Sequence, residues 1–82
     1  MNTRFAVDGG AFHAVRVAYQ DICQSESLEP DLSGLKEYAI TVSRRPGRVT
    51  VAFDPQQGSR AKYAHTYVLE DNTYRILKRF IA

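Results

Sequence analysis

A single cysteine, Cys23, rules out an intramolecular disulfide and any zinc site built on cysteines. One free thiol also fits a reducing compartment better than an oxidising one. The N-terminal MNTRFAVDGGAF lacks the continuous apolar run of a signal peptide, and no segment approaches the roughly 20 apolar residues of a membrane span. These absences lead us to expect a soluble, cytoplasmic chain with no membrane partner. Tryptophan is missing, and three prolines with five glycines are too few for a low-complexity or collagen-like sequence. There is no internal repeat.

What is present suits one small globular domain spanning residues 1–82. A chain of 82 residues buries only about 60% of its unfolded surface, so most of its apolar side chains must serve one core. The hydrophobic fraction of 44%, which includes nine aromatics, is too rich for a disordered chain. The net charge of +2 says little, but its distribution says more. Residues 1–43 carry three cations against six acids, a net of −3, while residues 44–82 carry eight against three, a net of +5. A basic second half points to an anionic partner, nucleic acid or acidic protein, or else to cations decorating a solvated sheet face.

Hydrophobic periodicity predicts a helix from near Gly10 to Ser25–Ser27. At about 100° per residue, Phe12, Val15, Ala18, Tyr19, Ile22 and Cys23 fall on one arc, with Ala11 beside them. Asp8 is the expected N-cap, because its carboxylate can accept from the free amides of the first turn. Residues 2–7 read as a short strand or a frayed end. Residues 26–36 form a connector, in which Pro30 disfavours helix at Glu29 and Ser33–Gly34 favours a turn.

The period then changes to two. Tyr38, Ile40 and Val42 share a face of one strand, and Val49, Val51 and Phe53 share a face of the next. Between them, RRPG (44–47) offers Pro46 with preset φ and Gly47 free to take positive φ. A polar loop, 54–62, leads to a second hairpin. There Tyr63, His65, Tyr67 and Leu69 alternate with Ala64, Thr66 and Val68, and Glu70–Thr73 makes the turn. Tyr74, Ile76 and Phe80 continue the core-facing alternation. Ile76, Leu77, Phe80 and Ile81 also fit a helical stripe, but a strand gives the four antiparallel strands that a one-sided helix needs as cover. The expected fold is α+β, one N-terminal helix on a four-stranded antiparallel meander in two layers.

The run LEDNTYRILK (69–78) resembles the strand–turn–strand V-D-x-x-T-G-x-I-L of small bacterial domains, among them PepSY-type modules and cystatin-like immunity proteins. Glu70, Thr73, Ile76 and Leu77 occupy matching positions, while Tyr74 replaces the glycine. Upstream, AVRVAY in a helix, then YAITV, then RVTVAFDP, follow the order of those immunity proteins. The resemblance implies a cystatin-like sheet gripping a helix, and an inhibitor or immunity protein that blocks a cognate toxin.

Catalytic chemistry finds little support in the residues. Cys23 sits on the apolar arc of the helix, where a thiol packs as a small hydrophobe rather than ionising. His13 and His65 lie on different elements without metal-ligand spacing. The acids of 26–31 and 70–71 fall in connectors, and Gly9–Gly10 is only a dipeptide, so neither paired-carboxylate chemistry nor a phosphate loop is indicated. No enzyme activity, cofactor or metal is expected. The candidate partner-binding residues are Arg44, Arg45 and Arg48 at the first hairpin, with Thr66, Val68, Arg75, Leu77 and Arg79 on the open sheet face, continuing into Thr41, Ser43, Thr50 and Ala52. Apolar Val68 and Leu77 flanked by arginines resemble the centre and rim of a protein interface, docking on an acidic surface such as a toxin's. A small nucleic-acid-binding or regulatory module using the basic C-terminal half is the alternative, its nucleic-acid form weakened by aromatics assigned to the core side. Homodimerisation through the open face or an edge strand is a further possibility.

Overall fold

The computed structural model describes residues 8–28 and 31–82. Residues 2–7 and the Glu29–Pro30 step, on which two expectations fell, lie outside them. One helix packs on one face of a four-stranded antiparallel sheet, as the sequence predicts.

Helix α1 spans Gly9–Ser25. Asp8 caps it, with extended backbone (φ −64°, ψ 122°) and its Oδ1 accepting from the Gly10 amide at 2.8 Å and the Ala11 amide at 3.4 Å. Its far end closes with two bonds of a Schellman motif: the Leu28 amide donates to the Cys23 carbonyl at 2.7 Å and the Ser27 amide to Gln24 at 3.3 Å. Ser27 takes the left-handed conformation (φ 55°) that such an ending requires.

The buried stripe of α1 is Ala14, Val15, Ala18, Tyr19, Ile22 and Cys23. Phe12, expected on it, is 43% exposed. At about 100° per residue the centre of this stripe lies between Val15 and Ile22, which leaves Phe12 at its rim and brings Ala14 inside. The expected connector contains a 3₁₀ helix, Leu32–Glu37, capped by Asp31, whose Oδ1 accepts from the Ser33 amide at 2.9 Å. That bond, ahead of the weaker pull of Lys36, holds the Asp31 carboxyl below its ordinary pKa. Gly34 is required there by close approach, since a methyl at this position would overlap the Tyr19 hydroxyl. That hydroxyl donates to the Asp31 carbonyl at 3.0 Å, so α1 and the 3₁₀ helix are pinned together.

Strands β1 (Tyr38–Arg45), β2 (Arg48–Pro55), β3 (His65–Glu70) and β4 (Ile76–Ile81) lie in sequence order. The last segment is therefore a strand rather than a helix. Pro46–Gly47 joins β1 to β2, with Gly47 at φ 76° as the RRPG reading requires. Val49, Val51, Phe53, Tyr67 and Leu69 are 0–1% exposed and meet the helix stripe. Phe53 is the centre of an aromatic cluster, edge-on to Tyr38 at 5.6 Å and to Tyr67 at 6.3 Å. Tyr63, expected beside them, lies before β3 and is 52% exposed.

The consequential departure is a register shift between β3 and β4. Leu69 pairs with Ile76 but Val68 pairs with Lys78, so Leu77 is an extra residue in a β-bulge. An extra residue reverses the side-chain alternation beyond it. Arg79 then pairs with Tyr67 on the helix side, and Phe80 pairs with Thr66 on the open side. Both placements are the opposite of those predicted by counting parity straight through the strand.

Candidate protein-docking surface

Directly opposed residues of antiparallel strands share a face, so the register draws the open side of the sheet as rows. Nearest the turns runs Arg45, Arg48, Glu70; next Ser43, Thr50, Val68, Lys78; then Thr41, Ala52, Thr66, Phe80; and last Ala39, Asp54. Most of these side chains are small. No described element covers them, because α1 occupies the other face.

Of the candidate residues, Arg45, Arg48, Thr66 and Val68 stand on this face, with Val68 and Thr66 half-buried. Arg75 lies in the turn beside it, held to Glu70 Oε2 at 3.5 Å. The two turns form one end of the molecule, since the Asp71 amide donates to the Gly47 carbonyl at 3.2 Å. Arg44 and Arg79 stand elsewhere. Arg44 sits on the helix side, where its Nη1 meets Asp8 Oδ2 at 3.1 Å. Asp8 thus has three partners, and the Gly10 and Ala11 amides, followed by the Arg44 guanidinium, hold its carboxyl below its ordinary pKa.

Arg79 reaches Asp21 of α1 at 3.2 Å, and the Tyr67 hydroxyl donates to the same Oδ2 at 2.8 Å. Burial first, and then that bond to a carboxylate, raise the Tyr67 pKa well above its ordinary value. Tyr67, Asp21 and Arg79 therefore form a structural clasp between helix and sheet. Leu77, at the bulge, is half-buried rather than an exposed anchor. Among the described residues Arg45, Arg48 and Lys78 have no carboxylate within ion-pairing distance. Lys78 and Phe80, 56% exposed, are the surface residues that the parity count missed.

Other chemistry-bearing groups are dispersed or buried. Cys23 is buried. His13 stacks on the Tyr74 ring at 4.3 Å. His65 is 1% exposed, with Nε2 3.2 Å from Glu26 Oε1 but not aligned to donate, and neither ring nitrogen has a hydrogen-bond partner among the described residues. Among the described residues no three His, Cys, Asp or Glu side chains cluster to hold a metal ion, and no helix is long and apolar enough to cross a membrane. A groove of about 320 Å³ opens beside the end of α1, lined by Tyr19, Leu28, Tyr38, Tyr63, Glu26 and Lys62. Burial, followed by a hydrogen bond with Cys23, pushes the Tyr19 pKa up to about 12, so at neutral pH it faces the groove as a neutral phenol.

No protein-family model, curated protein or solved structure matches the chain.

Proposed function

We propose that the chain acts by binding another protein, as an immunity-type inhibitor that neutralises a cognate bacterial toxin by occlusion, in the cytoplasm and without catalysis or cofactor. The observation that carries this is the open face itself: Arg45, Arg48 and Lys78, free of acidic partners among the described residues, beside half-buried Val68 and exposed Phe80. Cations of this kind steer the encounter with an acidic surface, and desolvated apolar contacts slow dissociation. The class of partner comes from the likeness of LEDNTYRILK and its upstream order to immunity proteins.

The test is co-expression and binding with the product of the neighbouring reading frame. Arg45→Ala with Arg48→Ala should weaken that binding about tenfold or more, mainly through a slower, salt-sensitive association rate, with folding intact. A neighbour neither toxic nor bound, or an affinity indifferent to these charges, would remove the proposal.

The bulge gives one reason to keep a second reading. It places Phe80 on the same face as Lys78, where a base could stack beside a phosphate contact. Titration with single-stranded DNA and RNA at low and moderate salt separates the two. Micromolar affinity falling steeply with salt would favour nucleic acid over protein.

A further inference from the structure

β4 ends the sheet, and no described element pairs with its outer edge. Ala64 and Ala82 exchange both backbone bonds, at 3.0 and 2.9 Å, which fixes the hydrogen-bonding parity of the strand. By alternation, Phe80 and Lys78 also bond inward to β3, while the N–H and C=O groups of Arg79 and Ile81 point outward. Those outward groups lie in the most apolar exposed part of the sheet, where Phe80 and Ile81 are 56% and 59% exposed on opposite faces of one strand. Edge strands are normally blunted by proline, by cover, by bulges or by lone charges. Of these devices β4 carries the bulge at Leu77 and one charge unpaired among the described residues, Lys78, both on the turn side of Phe80, while Arg79 is engaged by Asp21.

We propose that a second copy of this chain pairs with this edge, β4 against β4 and antiparallel about a two-fold axis through Phe80. Charge and length select that register, since centring on Ile81 would pair only residues 80–82. Centring on Lys78 or Arg79 would set like charges directly opposite one another, which is destabilising. Centring on Phe80 sets Arg79 against the partner's Ile81 and Lys78 against the partner's Ala82. Arg79 and Ile81 then exchange their outward backbone bonds. The two Phe80 rings meet as a close non-hydrogen-bonded pair on the open face. The product is one eight-stranded sheet with both helices on the same side and the two basic ends pointing in opposite directions. It shares Phe80 with the proposed docking face but leaves Arg45 and Arg48 free at the turn end, so those arginines should not affect the dimer.

A single strand pair is a small interface of the transient class, so the expected dissociation constant is micromolar or weaker. Sedimentation of the intact chain at micromolar and higher concentrations should show a monomer–dimer equilibrium. Phe80→Cys should cross-link to itself under mild oxidation, because directly opposed β-carbons lie at disulfide distance. Lys78→Cys should not, since its counterpart is displaced by four residues. Ile81→Pro removes an outward N–H without touching the β3 ladder and should weaken the dimer at least tenfold. A chain that stays monomeric throughout overturns the proposal. So does a dimer in which Phe80→Cys reacts no faster than Lys78→Cys, or one that Ile81→Pro leaves intact.

Discussion

Ser27 and Tyr74 both hold left-handed backbone, at φ 55° and 57°, and they do so for different reasons. Ser27 is exposed and ends the helix, so its side chain offsets little of the steric cost. Ser27→Gly should stabilise the protein by about 0.5–1 kcal/mol, read as a higher denaturation midpoint at unchanged slope. Tyr74 stands where the resembled motif has glycine, yet its ring stacks on His13 and packs against the core. Tyr74→Gly should therefore destabilise, by about 1–2 kcal/mol, despite relieving the same backbone cost; a gain in stability would show that the ring contributes nothing. Tyr67→Phe should cost about 1–2 kcal/mol by removing the donor to Asp21. Because folding raises the Tyr67 pKa, its contribution is intact below the ordinary value of 10.0 and is lost as pH rises through the higher folded value. The stability gap between wild type and Tyr67→Phe should accordingly narrow above pH 10.

At the scale of elements, the helix is fastened to the sheet at both sides of its length. The Asp8–Arg44 pair ties its start to the first hairpin, and the Tyr67–Asp21–Arg79 clasp ties its middle to β3 and β4. The Asp8 carboxyl titrates below its ordinary value of 3.8, so its stabilising effect is present above that pH and lost as pH falls through the folded value. Asp8→Ala should lower the melting temperature near neutrality, and the difference should vanish in acid. An equal difference at both pH extremes would mean that the carboxylate charge and its bonds are not what caps the helix. Strand β4 depends on its bulge in the same way. Were Leu77 paired with Val68 instead of bulged out, Arg79 would oppose Thr66 on the open face and Phe80 would turn into the helix side.

At the scale of the molecule, the placement of charge separates binding from folding. Arg79→Glu sets a second carboxylate against Asp21 and should lower the melting temperature by several degrees. Arg45→Ala with Arg48→Ala should leave melting nearly unchanged while weakening partner binding through the open face. If the melting curves of the two variants moved alike, the division between clasp and docking face would fail. The expectation that Arg75 and Arg79 form one binding pair dissolves for the same reason. Arg75 is 70% exposed at the turn end, and Arg79 is part of the clasp.

The local code alone carried the helix with its Asp8 cap, both hairpins, Gly47 in the first turn, and the faces of β1, β2 and β3. Each follows from interactions within a few residues or from an unbroken period of two or 3.6, which one chain displays by itself. The two faces of β4 were not legible, because a single inserted residue reverses alternation and leaves no mark in a run as evenly mixed as ILKRFI. The bulge exists because Ile76 packs under the helix while Arg79 reaches Asp21, 58 positions earlier in the chain. Likewise the salt-bridged state of Arg44, the Glu26 carboxylate beside His65, and the groove at Tyr63 arise from residues brought together across the chain. Sequence determined which segments would be strands and helix; only tertiary packing decided which cations face solvent and which hold the fold.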